Sequence, residues 1–270
     1  MERITSRRDP LCAHIRKLGE SKDHRYNSGE FLCDGIKLLE EATGCGAVIK
    51  TVLTARDIVF PLPPETRVGI VHQDLLDSLS PLTNAQDVLF SCAMPKEIKS
   101  GIESGAHILL DCLQDPGNVG AIIRSSYALG ADSVILTGDC ADPYNPKAVR
   151  ASMGAVFRQP IRRISYAELA GSRAGHLTGT KPPVEVGGGM RMIGASPRPG
   201  GKSIFEIGLI DVIIAIGSEG GGLSGDVANL CDEMLTIPIN PECESLNAAA
   251  AAAIIMWEAK RQASLPNYEL

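Results

Sequence analysis

Aromatic side chains are scarce in this chain, at 4% of 270 residues. That leaves little material for a face that recognises nucleic acid by stacking rings on bases. A surplus of positive charge is missing too. The net charge is −6, so the chain as a whole does not attract phosphate backbones. No apolar run reaches the roughly 18 residues that a membrane span needs. Residues 248–257 come nearest and fall short, so no membrane partner is expected. None of the eight cysteines forms a Cys-x-x-Cys pair, and no histidine lies at zinc-ligand spacing. A metal site is therefore not expected. Several of these cysteines sit inside apolar runs, where a free thiol behaves as a small hydrophobe. With no signal peptide recognised, a reducing cytoplasm is the simplest fit.

What is present divides unevenly. The apolar fraction of 44% can fill a real core, and the length allows two modest domains. The first 25 residues invert the overall charge. Arg3, Arg7, Arg8, Arg16, Lys17, Lys22 and Arg25 face only four carboxylates, a net +3. A solvated helix face explains this; so does an arm that contacts phosphates. Periodicity predicts a helix at 30–43, strands at 48–53 and 67–71, and a helix at 74–80. These make a small α/β domain at 1–95, followed by a linker at 96–106.

From 107 to 270 the alternation is clearer. Strands are predicted at 107–112, 133–136, 212–217 and 235–239. Helices are predicted at 118–129, 146–153, 166–170, 224–230 and 245–261. Continuous apolar strands with helices between them imply a parallel sheet covered on both faces. Residues 187–201 carry six glycines and read as a mobile loop.

Three segments at predicted strand ends could carry chemistry, since ligands gather there in open α/β sheets. The first runs from Leu110 through Asp115-Pro116-Gly117-Asn118-x-Gly120 to Arg124. Its plain account is a βα turn capped by Asn118, with a surface arginine. It carries neither a Gly-x-Gly-x-x-Gly fingerprint nor a Walker lysine, which argues against dinucleotide and nucleoside triphosphate sites. The second is Gly217-Ser218-Glu219-Gly220-Gly221-Gly222-Leu223, an acid set in a glycine turn. The third is Ile237-Pro238, then Ser245-Leu246-Asn247 at the start of an alanine-rich helix, where capping is the ordinary role.

In this order the three segments resemble the three motifs of the SpoU (TrmH) family of RNA ribose methyltransferases. Residues 145–155 resemble the family's connecting segment. Ile4-Thr5-Ser6, Arg25 and Phe31-Leu32-Cys33-Asp34-Gly35 are similar to its substrate-binding extension. Two departures are Asp34, where the family usually has Glu, and the alanines after Asn247, where many members carry Val and Ser.

The resemblance implies a parallel-sheet α/β catalytic domain at 107–270 with a deep C-terminal trefoil knot. A small ribosomal-protein-like α/β domain at 1–95 would bind RNA. The resemblance further implies S-adenosylmethionine as cofactor, with backbone groups near Gly217, Ile237 and Leu246 holding its adenosyl part. Asn118, Arg124, Glu219, Ser245 and Asn247 would line the reaction centre, and a homodimer would complete it. The implied reaction is 2′-O-methylation of structured RNA, with ribosomal RNA favoured over transfer RNA. Two other readings stand beside it. One is a catalytically inactive RNA-binding ribosome-assembly protein of the same fold. The other is a doubly wound oxidoreductase, which lacks its fingerprint.

Overall fold

The computed structural model describes residues 2–82, 86–95, 104–178, 190–197 and 200–264, without the side chains of 173–178. The first stretch contains β1 (Glu2–Arg3), α1 (Pro10–Glu20), α2 (Lys22–Ser28), β2 (Glu30–Asp34) and α3 (Ile36–Gly44). β3 (Ile49–Thr54), β4 (Arg67–Ile70), α4 (Gln73–Leu79) and β5 (Val88–Ala93) follow. The second stretch contains β6 (Ala106–Asp111), α5 (Pro116–Leu129), β7 (Ser133–Thr137), α6 (Pro146–Ser152), β8 (Ile161–Arg163) and α7 (Tyr166–Thr178). It continues with β9 (Arg191–Ala195), β10 (Lys202–Ser203), β11 (Val212–Ile216), α8 (Gly225–Ala228), β12 (Glu233–Thr236) and α9 (Ala248–Ser264).

These elements fall into two compact units. One is Met1–Lys96 with Asp142–Arg158; the other is Glu97–Ala141 with Gln159–Leu270. The segment Asp142–Arg158, expected within a domain at 107–270, packs instead with the first unit. Of the expected linker, residues 96–103 lie outside the described residues, and β6 begins at Ala106.

The first unit is a mixed sheet in the order β1-β4-β3-β5-β2. The expected helix at 30–43 is in fact β2 followed by α3. Phe31, Leu32 and Cys33 are all buried, which a strand between two covered layers achieves and an amphipathic helix does not. Gly35, at φ +115°, makes the break. α1 starts where the Asp9 carboxylate accepts from the Leu11 amide at 2.8 Å. It buries Leu11, Cys12, Ile15 and Leu18 on one stripe, against Leu32, Leu53, Leu76 and Leu89.

The second unit is a seven-stranded sheet in the order β10-β12-β9-β11-β6-β7-β8, parallel throughout. β9 corrects the expectation of a loop at 187–201. Met192 and Ile193 are buried, and β9 lies between β11 and β12. Gly194 belongs to that strand because a Cβ there would come within 2.7 Å of Leu223 and 2.8 Å of Met234. Leu109, Ile135, Met192, Ile213 and Ala215 join Leu169 and Val227 in one core. Each large side chain there contributes roughly 1.5–3 kcal/mol.

Three further boundaries moved. β12 stops at Thr236, short of the expected 239, because Pro238 cannot donate to a ladder. α7 extends to Thr178. α9 begins at Ala248 rather than 245. From β6, the chain builds outward through β7 and β8 on one side, whereas β11 and β9 lie on the other. The order reverses between β6 and β11, and their C-terminal ends flank the crevice where such sheets bind ligands.

Candidate active site

β6 ends at Asp111, and the chain enters α5 through Asp115-Pro116. Asp115, not Asn118, caps this helix: its carboxylate accepts from the Asn118 amide at 2.8 Å. Asp reaches the third amide of the helix from the cap position, and proline at the first position lacks the N–H that would need a partner. Asn118 therefore sits in the first turn with its side chain available.

β11 leads into a turn at 217–222 that closes on itself. The Ser218 amide donates to the Gly222 carbonyl at 3.0 Å, and the Gly222 amide donates back to Ser218 at 2.9 Å. A Cβ on Gly217 would lie 2.1 Å from the Gly222 carbonyl carbon, so the turn has room only for glycine. Gly222 takes the left-handed conformation at φ +69°. Glu219 projects, exposed, from this turn.

Asn247 caps α9. Its side-chain oxygen accepts from the amides of Ala249 at 3.0 Å and Ala250 at 3.2 Å. Its amide nitrogen donates to Asn118 Oδ1 at 3.0 Å and reaches Glu219 Oε1 at 3.5 Å. Asn118 in turn donates from Nδ2 to Glu219 Oε1. Capping accounts for half of Asn247; the other half joins an acid–amide trio drawn from three separate segments.

The other expected residues stand apart from this trio. Arg124 is exposed and makes no hydrogen bond or ion pair with another described residue. Ser245 is exposed, and only its carbonyl is engaged, by the Cys243 thiol at 3.3 Å. Ile237 and Leu246 are half-buried on either side of the loop that joins β12 to α9. Neither backbone N–H there has a backbone partner among the described residues.

Two residues that the sequence reading missed lie beneath the turn. Asp111 is fully buried, and its carboxyl accepts from the Ser224 amide at 2.6 Å and from the Tyr166 hydroxyl at 2.8 Å. The Tyr166 hydroxyl also lies 3.1 Å from the Cys112 sulfur. Burial, and then the bond to Cys112, push this hydroxyl well above the usual tyrosine range, so it keeps its proton. An acid closing an otherwise apolar strand was the available signal for Asp111; Tyr166 had none.

In the first unit, residues of the expected RNA-binding extension turn out to be structural. Arg25 is 2% exposed and is paired with Asp142 at 2.6 Å. Asp34 is buried and accepts from Ser80 Oγ and the Gln86 amide, both at 3.0 Å; burial raises its carboxyl above the usual range. Arg3, Arg7, Arg8, Lys17 and Lys22 remain exposed. Among the described residues no helix is long and apolar enough to cross a membrane, and no group of three metal-ligating side chains occurs.

Residues 105–257 match the model of the SpoU rRNA Methylase family. The chain belongs to this family. It is thereby a methyltransferase. It is 32% identical to the 23S rRNA (uridine(2479)-2′-O)-methyltransferase of Streptomyces viridochromogenes, over 96% of this chain and 92% of that one. It is 28% identical to the 23S rRNA (guanosine(2553)-2′-O)-methyltransferase RlmP of Bacillus subtilis, over 95% and 98%. Among solved structures it resembles an AdoMet-bound rRNA methyltransferase from Sinorhizobium meliloti, with TM-score 0.80, 27% identity and coverage of 98% and 99%. The SpoU methyltransferase AviRb of S. viridochromogenes, also bound to AdoMet, has TM-score 0.79 and 29% identity, with coverage of 95% and 98%. The oxidoreductase reading falls with this membership.

Proposed function

We propose that this SpoU chain methylates the 2′-hydroxyl of a ribose in ribosomal RNA, with S-adenosylmethionine as the donor. The observation that carries the proposal is the trio of Asn118, Glu219 and Asn247, held at the C-terminal ends of β6 and β11. Relatives named as 23S rRNA 2′-O-methyltransferases favour ribosomal over transfer RNA.

The residues present fit the cofactor. Gly217 opens a tight turn, and half-buried Ile237 and Leu246 offer apolar contact beside backbone N–H groups with no backbone partner among the described residues. Bound there, S-adenosylmethionine would supply a methyl group activated by its sulfonium, for transfer to the ribose oxygen with S-adenosylhomocysteine as the leaving group and the hydroxyl proton released to solvent. Asn118, Glu219 and Asn247 orient the ribose through the hydrogen-bonding capacity that their mutual contacts leave over, and Ser245 adds a hydroxyl at the helix entrance. Arg124 stabilises the developing alkoxide or holds a neighbouring phosphate.

Exposed Arg3, Arg7 and Arg8 support an RNA-binding role for the first 95 residues, as a ribosomal-protein-like domain. A homodimer is supported by exposed Tyr127 on α5 and by Ile254 and Trp257 on α9, two helices that pack together. A trefoil knot is supported by the path after β12. Residues 237–247 pass from β12, beyond β9 and β11 in the sheet order, to Asn247, which meets Asn118 in the first turn of α5 after β6. Eight free cysteines suit the cytoplasm.

The test is transfer of labelled methyl from S-adenosylmethionine to ribosomal and transfer RNA, followed by mapping of ribose methylation. Label in ribosomal RNA at one 2′-hydroxyl is expected. Label on a base, or none with the cofactor demonstrably bound, would overturn the proposal.

A further inference from the structure

Glu219 and Asn247 are exposed and stand on a turn and a loop end, so something buried must hold those segments against Asn118 in α5. Glu219 stands on a turn whose two ends are differently secured. The incoming end is β11. The outgoing end is Ser224, which caps α8 by accepting from the Val227 amide at 3.3 Å. The Ser224 amide is bound in turn by Asp111 at 2.6 Å. Because Ser218 and Gly222 close the turn on themselves, holding Ser224 holds the turn as one piece.

Asp111 is also the last residue of β6, seven positions before Asn118. One carboxyl group thus ties the strand that leads to Asn118 to the turn that carries Glu219. Its other oxygen takes the Tyr166 hydroxyl at 2.8 Å, so both oxygens of a fully buried group are engaged. The hydroxyl occupies a slot left open by Gly138. A Cβ there would lie 2.2 Å from the hydroxyl and 2.6 Å from the Cys112 sulfur.

We propose that Asp111 and Tyr166 form a positioning pair: they fix the 217–224 turn against the end of β6, so that Glu219 meets Asn118 before any ligand arrives. Neither residue touches substrate or cofactor. Tyr166 lies outside the three motifs. The activity half of the argument rests on the proposed methyltransferase reading; the anchoring half does not.

The test uses Tyr166→Phe, which keeps the ring, and Asp111→Asn, which keeps the shape. Hydrogen exchange of peptides covering 218–224 reads the anchor without reference to activity. About tenfold faster exchange is expected in both variants, the order of effect of losing one hydrogen bond to a carboxylate. Single-turnover methylation at saturating cofactor and RNA should fall about ten- to a hundredfold, as displacement of a reacting group requires. The same substitution placed on a Glu219→Ala background should cost almost nothing more, because the group being positioned has gone. A purely structural role would cost the same factor on both backgrounds, and that result would overturn the proposal. Unchanged exchange at 218–224 in both variants would overturn it too. If wild-type protein transfers no methyl to RNA, the proposed function falls and the exchange result alone decides the anchor.

Discussion

Two polar clusters, one in each compact unit, join residues more than a hundred positions apart, and they are built to opposite ends. Around Arg25, every group is spent. Its Nε and Nη2 donate to Asp142 Oδ2 at 2.8 and 2.6 Å, and Nη1 donates to the Leu18 carbonyl at 2.8 Å. Asp142 Oδ1 takes the Tyr144 amide at 3.0 Å and the Tyr26 hydroxyl at 3.2 Å. Arg25 and Asp142 are 2% and 7% exposed, so neither has anything left for a ligand. Around Glu219, two of the three members are exposed and hydrogen-bonding capacity is left over. Arg124, further along α5, has no described partner at all. A saturated buried cluster holds a fold; an exposed and unfinished one is suited to complete itself on a substrate.

The largest expected effect breaks the first cluster. Arg25→Ala leaves the Asp142 carboxyl buried without its main partner. Loss of a buried partner of this kind costs about 3–5 kcal/mol. Chemical denaturation should place the loss in the first unit, while S-adenosylmethionine affinity stays near wild type. A loss under about 1 kcal/mol would mean that water replaces the guanidinium, and the contrast with the trio would collapse.

Next comes Arg124→Ala, whose effect should fall on turnover and not on stability. Loss of one stabiliser of developing negative charge slows a reaction about a hundredfold or more. An exposed residue without partners should change stability by under about 0.5 kcal/mol. Arg124→Lys then distinguishes charge from geometry. Lysine restores much of the rate if charge suffices, and resembles alanine if a planar two-pronged contact is needed. A wild-type single-turnover rate in Arg124→Ala would remove this residue from the chemistry.

Asn247 belongs to both descriptions, and substitutions can separate them. Asn247→Ser keeps a good helix cap, so stability should move by only a few tenths of a kcal/mol, but it loses the amide that reaches Asn118. Turnover should fall about tenfold, equivalent to about 1.4 kcal/mol in the barrier. Asn247→Ala should add a stability loss of about 1 kcal/mol from the lost cap. Equal turnover in Asn247→Ser and wild type would make capping this residue's whole role.

The sequence made the Asn118–Glu219–Asn247 cluster easier to read than the framework. Asn118, Glu219 and Asn247 lie in short, unusual strings where Gly and Pro limit the backbone, and the structure brings these three together. The parallel sheet was legible from apolar runs such as 212–216, because a strand buried on both faces has no polar alternation. β9 was not legible, since glycine-rich flanks look like loop until neighbouring strands are known to need Gly194. β2 and α3 blurred into one apparent helix because Leu32, Ile36 and Leu39 also satisfy helical spacing. The role of Arg25 depends on Asp142, 117 residues away, and no local pattern carries that distance.

The smallest expected effect concerns pH, and it tests whether the two units share one weakness. His107 is buried at the start of β6, between Ser133 Oγ and the Ser104 carbonyl, each at 2.8 Å. Burial lowers its pKa below the ordinary 6.5. His24 in the first unit is lowered as well, by burial first and then by His14 and Lys17. For a base whose folded pKa is depressed, the unfolded chain binds the proton first as pH falls. Stability is therefore full above the ordinary histidine value and is lost as pH drops through it. Melting temperature should fall between pH 7.5 and 5.5, and His107→Gln should flatten that fall for the second unit alone. His24→Gln should do the same for the first. Carboxyl groups such as Asp34, raised by burial, act in the opposite direction, so the comparison must be made between variant and wild type at each pH. An identical pH slope in wild type and His107→Gln would show that this imidazole is never asked to carry a proton in the folded or the unfolded chain at different cost. The acid sensitivity of the sheet would then have to come from elsewhere.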